Sequence, residues 1–284
     1  MDTRLFKFVT ADEDRLRSLE NNQVYFSSID QLNDPFEFAA NYSSKGVSDE
    51  LRIITYAHTI KASRNVPISK ARKLALQEQE SMGIKSFRES IDDLIYERCQ
   101  KDIEQLRSSH FVLSLSKAHP KDHDKVYPSP LTRMEMWGHY ANGLKGICIT
   151  YDRSKLAKSI SQLNNRKIGS KDVKYQEELP VVYVKTLHDD VVNSTDNFLN
   201  QISDAFCTKF VSWRIENELR LISQQHGLHS HSEESILEVY VPARDKKLVH
   251  RVVSILNKKA HKPKLLLVEL KKTRYGVDVY EYSY

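Results

Sequence analysis

Hydrophobic and polar positions change period several times along the chain, and each change predicts an element. "RLFKFV", residues 4–9, alternates and predicts a strand. "TADEDRLRSLENN" follows as a helix with Leu16 and Leu19 facing inward, Thr10 and Glu13 at capping-box spacing, and a stop near Asn21 and Asn22. "QVYFSS" alternates again, with Val24 and Phe26 on one side and Tyr25 on the other. From Ser48 to Ser109 the period is helical. Phe87, Ile91, Leu94, Ile95, Cys99, Ile103 and Leu106 mark one apolar face, and Pro67 and Gly83 punctuate the block.

The second half mixes both periods. "HFVLSLS", "KGICITYD", "VVYVK", "NELRLIS", "SILEVYV", "KLLLVEL" and "VDVYEY" read as strands. "TRMEMWGHYANG" reads as a short helix with a second capping box, Thr132 and Glu135, and Gly143 as its stop. "TDNFLNQISDAFCTKFVSW" is helical, with Phe198, Ile202, Phe206 and Phe210 at helical intervals, and "RDKKLVHRVVSILNKKA" is a helix before the last two strands. Strict strand–helix–strand alternation is missing. The expected class is therefore α+β, with a mixed, mostly antiparallel sheet and a helical insertion after the first two strands. The expected organisation is a single domain over 1–284, with the insertion at about 48–109 and a basic helix–strand–strand segment at about 244–284.

Composition narrows the class. The 284 residues are 40% apolar and 29% charged, an ordinary soluble balance. No window approaches the ~18 apolar residues of a membrane span, and "MDTRLFKFVT" has no apolar run of the signal-peptide kind. Cys99, Cys148 and Cys207 are odd in number and far apart, which argues against a disulfide framework and for a reducing cytosol. The expected localisation is cytoplasmic, with no membrane partner.

Charge is uneven. Residues 1–60 hold 6 Lys/Arg and 10 Asp/Glu, a net of −4, whereas residues 244–284 hold 11 and 4, a net of +7. A basic end can bind phosphate or nucleic acid, which makes residues 244–274 a candidate nucleic-acid segment. The plainer reading is a solvated, Lys-rich face.

Familiar catalytic signatures do not occur: no Walker loop, GxGxxG, HExxH, GxSxG or paired CxxC. His226, His229 and His231 lie close together, as do His119 and His123, but in loops without a cysteine partner, so no metal site is expected. More informative is the E-x-E pair Glu216 and Glu218. In an extended segment both carboxylates share a face, and Arg214 and Arg220 are spaced to supply cations; the plainer reading is a charge ladder on a strand edge. Trp137 and Tyr140 are three apart on one helix face, and simple core packing would explain them as well. Ser114 and Ser116 alternate with leucines, so their hydroxyls point to one side. "NDPFE" packs Asn33, Asp34 and Glu37 around Pro35. Asn33 and Asp34 suit a turn closed by side-chain to backbone bonds. Glu37 and Glu218 lack an evident structural partner in their own segments, so glutamine at either is expected to spare the fold and abolish function.

Taken in order, "RLFKFV", "VYFSSIDQLNDPFEF", "FVLSLSK", "MWGHYANGLKGICITYD", "VKY" and "WRIENELRLI" resemble the bacterial domain-of-unknown-function family DUF2971 over about residues 4–223. NDPFE and W-x-x-Y-A are the most specific blocks. The sequence departs from the family pattern at Phe8, where tyrosine is usual, at Leu115 for phenylalanine, at Leu144 for histidine and at Leu219 for tryptophan. The family name carries no activity.

The order of first strand, serine strand, tyrosine helix and glutamate-led strand is also similar to ADP-ribosyltransferases. That resemblance implies NAD as cofactor, Lys7 on phosphate, Ser114 or Ser116 on the nicotinamide ribose, Tyr140 stacking, and Glu218 with Glu216 in catalysis. Asn33, Asp34, Glu37 and Trp137 complete the candidate binding set. A second class is a non-catalytic ligand- or partner-binding module in phage defence. Direct nucleic-acid binding is the third.

Overall fold

The structure is a computed structural model and describes residues 4–119 and 129–284. In chain order the first elements are β1 (Arg4–Val9), α1 (Glu13–Glu20), β2 (Gln23–Phe26), β3 (Asn41–Ser43), α2 (Asp49–Arg64), α3 (Ile68–Met82) and α4 (Ile84–Ser109). Then come β4 (Phe111–Lys117), α5 (Ser129–Thr132), α6 (Met134–Tyr140), β5 (Ile147–Asp152), α7 (Arg153–Leu163), β6 (Gly169–Asp172) and β7 (Lys174–Gln176). Next are β8 (Val181–Tyr183), α8 (Val184–Asn193), α9 (Asn197–Ala205), β9 (Thr208–Phe210), a 3-10 turn (Val211–Glu216) and β10 (Glu218–Ser223). The chain closes with β11 (Gly227–Ser230), β12 (Ile236–Pro242), α10 (Lys246–Asn257), β13 (Lys264–Leu270) and β14 (Val277–Tyr282). The class is α+β, as expected, and residues 49–109 hold three helices after the first strands. Among the described residues no helix is long and apolar enough to cross a membrane.

The chain forms two compact units: residues 1–32, 110–175 and 211–284, and residues 33–109 and 176–210. The first carries an eight-stranded sheet in the order β14-β13-β12-β5-β1-β4-β10-β6. Only β12 and β13 are parallel, joined through α10; the other neighbours run antiparallel. Strand alternation splits its side chains into two layers. Leu5, Leu113, Leu115, Ile149, Leu219, Leu221 and Val239 pack with apolar residues of α1, α7 and α10. Phe6, Phe8, Cys148, Tyr240 and Leu266 pack with Leu131, Met136 and Trp137. The second unit is built on the apolar stripe of α4, where Phe87, Ile91, Ile95, Cys99 and Ile103 meet residues of α2, α3, α8 and α9. Leu94, expected on that face, is exposed.

Local chemistry differs from expectation in five places. Asp12, not Thr10, caps α1: its carboxylate accepts from the Arg15 amide at 2.9 Å, and the Thr10 hydroxyl donates to that same carboxylate. Thr132 does not cap α6. It ends a separate short helix, and the extended Arg133 precedes α6 with no side-chain cap. "VVYVK" is strand only to Tyr183, because Leu187 and His188 bury at helical spacing and draw Val184 into α8. The helix expected to run past Phe206 stops at Ala205. Residues 208–210 are extended, and Phe210 is exposed. "HGLHS", read as a loop, is strand β11, because β2 supplies it with a partner.

The turn after α6 depends on one glycine. A Cβ on Gly146 would lie 2.1 Å from the Val9 carbonyl oxygen and 2.9 Å from the Ala141 Cα, both backbone atoms that cannot yield cheaply. Gly146→Ala is therefore expected to lower stability by about 1–3 kcal/mol; a thermal melt within a degree of the parent would contradict this.

The charge asymmetry also finds its cause. In the first unit Lys258 pairs with Glu20 at 2.5 Å and Arg251 with Glu13 at 3.3 Å, joining basic α10 to acidic α1. Lys264 pairs with Glu281 at 3.3 Å and Lys271 with Asp278 at 3.2 Å. Two charges of the C-terminal excess are thus met by acidic residues of α1, while Glu281 and Asp278 are already counted in the net of +7.

Candidate functional site

In the first unit, register builds a polar patch on the sheet face that otherwise holds Phe6 and Phe8. β4 and β10 pair with Glu218 opposite Ser116 and Arg220 opposite Ser114, so all four side chains share one face. β1 joins in register, with Phe6 opposite Ser116. β10 lies between β4 and β6 and is no sheet edge; its charges are interior. Arg220 is 0% exposed and its Nε donates to Glu218 Oε1 at 2.9 Å. Arg214, the other cation suggested by spacing, is exposed.

Glu216 does not reach this face by strand alternation. It ends the 3-10 turn, Asn217 takes a left-handed φ of 44°, and only Glu218 opens the strand. Asn217 is pinned there because its side-chain amide donates to the carbonyls of Lys117 and Ala118 at 3.0 and 3.1 Å. Both carboxylates are nonetheless buried. The Tyr140 hydroxyl, from α6, donates to Glu216 Oε1. Tyr175 closes the other side: its hydroxyl oxygen accepts from the Glu218 amide at 2.8 Å. Burial, with the nearby charges of Glu218 and Glu216, pushes the Tyr175 phenol up.

Two further side chains converge to which the sequence reading gave no role. Trp213 is one 3-10 turn before Glu216, and its ring centroid lies 5.9 Å from that of His139, the residue before Tyr140. The usable signal was the i, i+3 spacing of Trp213 and Glu216, which eclipses side chains in a 3-10 turn.

The other candidates are placed as follows. Ser114 Oγ is buried and has no hydrogen-bond partner among the described residues. The Lys7 ammonium donates to the Ser114 carbonyl oxygen at 2.9 Å, while strand alternation sets Lys7 on the side opposite Phe6 and Phe8. Trp137 is wholly buried, with its indole N–H donating to the Leu131 carbonyl at 2.9 Å and its ring edge-on to Phe8, so it packs as core.

Asn33, Asp34 and Glu37 belong to the second unit. Asp34 closes the expected turn, since its Oδ1 accepts from the Phe36 amide at 2.9 Å, while Asn33 is exposed. Buried Glu37 faces Lys209 across 4.0 Å, a partner 172 residues away. The premise that Glu37 and Glu218 have no structural partner is thereby overturned, and because each carboxylate faces a buried cation, glutamine at either is now expected to cost stability. His119 is described and His123 lies outside the described residues. The 226–231 histidines are held separately: His226 by Tyr25, His229 by Ser223, His231 by Ser232 and Ser235. Among the described residues no cluster of three metal-ligating side chains occurs.

What the first-unit patch offers chemically is two buried carboxylates, one buried guanidinium, two strand serines and two phenols, drawn from five elements. No curated protein and no solved structure matches the chain. Residues 136–221, which carry the tyrosine helix, the 3-10 turn and most of β10, match the model of the family described as "Protein of unknown function (DUF2971)", so the kinship suggested by the sequence blocks holds over that segment.

Proposed function

We propose that the protein is a bacterial, cytoplasmic, nucleotide-using transferase of the ADP-ribosyltransferase-like kind, working as a toxin or defence effector, with its chemistry at the Glu216–Glu218 patch. The observation that carries this reading is the convergence of Tyr140, Ser116, Glu216, Glu218 and Arg220 within one unit. A structural turn would not need so many ionisable groups drawn from separate elements.

In the proposed reaction the bond between ribose C1′ and the nicotinamide nitrogen of NAD breaks, and its electron pair leaves with nicotinamide. An acceptor N–H or O–H adds to C1′ and gives up its proton. The Glu218 carboxylate, held in place by Arg220, stabilises the positive charge that develops on the ribose. The serine hydroxyls of β4 serve the ribose. Lys7 donates to the Ser114 carbonyl from the other side of the sheet and takes no part in this reaction.

The test is calorimetric titration of the full chain with NAD and with ATP, followed by an assay for nicotinamide release in cell extract. NAD is expected to bind, Tyr140→Ala to weaken binding, and Glu218→Gln to spare binding while reducing turnover. Absence of nicotinamide release would remove the transferase reading, whether or not either nucleotide binds.

The second reading, a non-catalytic partner-binding module in phage defence, is favoured by the surface of the second unit. Phe36, Ile84 and Tyr96 are each 60% exposed there, and Tyr42, Val181 and Tyr183 are exposed on the two strands of its small parallel sheet. The nucleic-acid reading of residues 244–274 is weakened by the ion pairs that α10, β13 and their flanks make with acidic neighbours.

A further inference from the structure

We propose that Trp213, with His139 packed edge-on against its ring, forms a stacking platform for a planar nitrogen heterocycle bearing an N–H donor, which Glu216 reads. This rests on the Glu216–Glu218 patch being a ligand site, and it moves the stacking role away from Tyr140. The 3-10 turn sets Trp213 and Glu216 one above the other. α6 presents His139 and Tyr140 to that pair: the His139 ring contacts the Trp213 ring, and the Tyr140 hydroxyl is bound to Glu216. His139 is exposed and Trp213 half-buried, so the aromatic edge of the patch is open to solvent while its carboxylate is buried.

That graded arrangement suits a ligand with a flat π-face and a polar edge. The face stacks on the indole, a contact that tolerates many bases. The edge supplies an N–H, and a carboxylate has the capacity to accept it alongside the Tyr140 hydroxyl. Tyr140 is less suited to stacking because its hydroxyl is committed to Glu216, which fixes its ring. Adenine, through its exocyclic amine, and nicotinamide, through its carboxamide, share the required chemistry.

The chain has two tryptophans, and Trp137 is wholly buried. A small ligand therefore reaches only Trp213, and intrinsic fluorescence reports on the platform without any turnover. The full chain is titrated with adenosine monophosphate, with nicotinamide mononucleotide, and with inorganic phosphate as control. One of the two nucleotides is expected to quench emission, phosphate is not, and the quenching is expected to vanish in Trp213→Phe. The quenching ligand identifies which ring the platform takes. By calorimetry, Trp213→Ala is expected to weaken that ligand roughly five- to hundredfold. Trp213→Phe, which keeps a ring, should lose less. His139→Ala, a change at an exposed position, should lose several-fold and keeps the test open if Trp213→Ala does not fold.

No quenching by either nucleotide, equal quenching by phosphate, or quenching that persists in Trp213→Phe would overturn the platform. Quenching without nicotinamide release keeps the platform and removes the transferase. Nicotinamide release with an unchanged KM in Trp213→Ala keeps the transferase and removes the platform.

Discussion

Replacing Glu218 by glutamine is expected to destabilise the protein by about 3 kcal/mol, because it takes from a buried guanidinium the carboxylate that its Nε donates to. Arg220 is 0% exposed and Glu218 3%, so water cannot take over the solvation that the carboxylate supplies. Removing the other partner, by Arg220→Met, is expected to cost a similar amount, since the buried carboxylate then loses the guanidinium that donates to it. The two losses should not add. In E218Q/R220M both charges of the pair are removed together, and the double variant should be more stable than the sum of the single effects predicts. Urea denaturation of the four proteins measures this cycle. Single variants within about 0.5 kcal/mol of the parent would show the pair to be energetically idle, at the level of an exposed salt bridge. The result also governs how catalysis is tested. Binding and turnover of Glu218→Gln are meaningful only well below its melting temperature.

Acidification from pH 7 to pH 4.5 is expected to remove several kcal/mol of stability, through two buried imidazoles. His188 is 0% exposed at the contact of α2 with α8, where its Nδ1 shares a hydrogen bond with the Thr55 hydroxyl at 2.9 Å. Burial, helped by the positive charges of Arg52 and Lys185 and opposed by Asp92 and Asp189, lowers its pKa to about 4. His231 is also lowered to about 4, by burial and by Lys259, against the Ser232 carbonyl that favours its charged form. In the unfolded chain each titrates near 6.5. Between those values the unfolded state binds more protons than the folded one, so stability rises with pH. The contribution is fully present above about pH 6.5 and is lost as pH falls toward 4. Each histidine supplies at most roughly 3 kcal/mol over that window. Stability measured by urea titration at pH 7, 5.5 and 4.5 should fall at each step, and His188→Asn should flatten the slope. A flat profile in the parent, or an unaltered slope in the variant, would contradict the assignment.

The spacing of Glu218 and Arg220 is visible in the linear sequence, but their burial, and the partners of His188 and Glu37, are not. His188 looks like one more polar residue of "VKTLHDDVV", and Glu37 like a carboxylate with no duty. Their partners, Thr55 and Lys209, lie 133 and 172 residues away.

What the sequence determined by itself is whatever depends on neighbours within one or two turns. The alternation of "RLFKFV" placed Phe6 and Leu5 on opposite faces, the stripe from Phe87 to Ile103 made α4 one wall of a core, and Asp34 closed its own turn. Side-chain period and short-range hydrogen bonds act without the rest of the chain. The tertiary structure decided whatever needs a partner brought from afar. "HGLHS" became a strand because β2 lay ready to pair with it, and the helix after Phe198 ended early. Glu216 and Glu218 came together with Tyr140 through a left-handed Asn217 held by two distant carbonyls, not through the strand alternation that E-x-E suggested. The positive φ at Asn217 is sterically disfavoured locally and persists because the surrounding bonds hold it. The candidate site's residue types were therefore legible in the sequence, while its geometry, including the place of Trp213, was set by contacts between elements far apart in the chain.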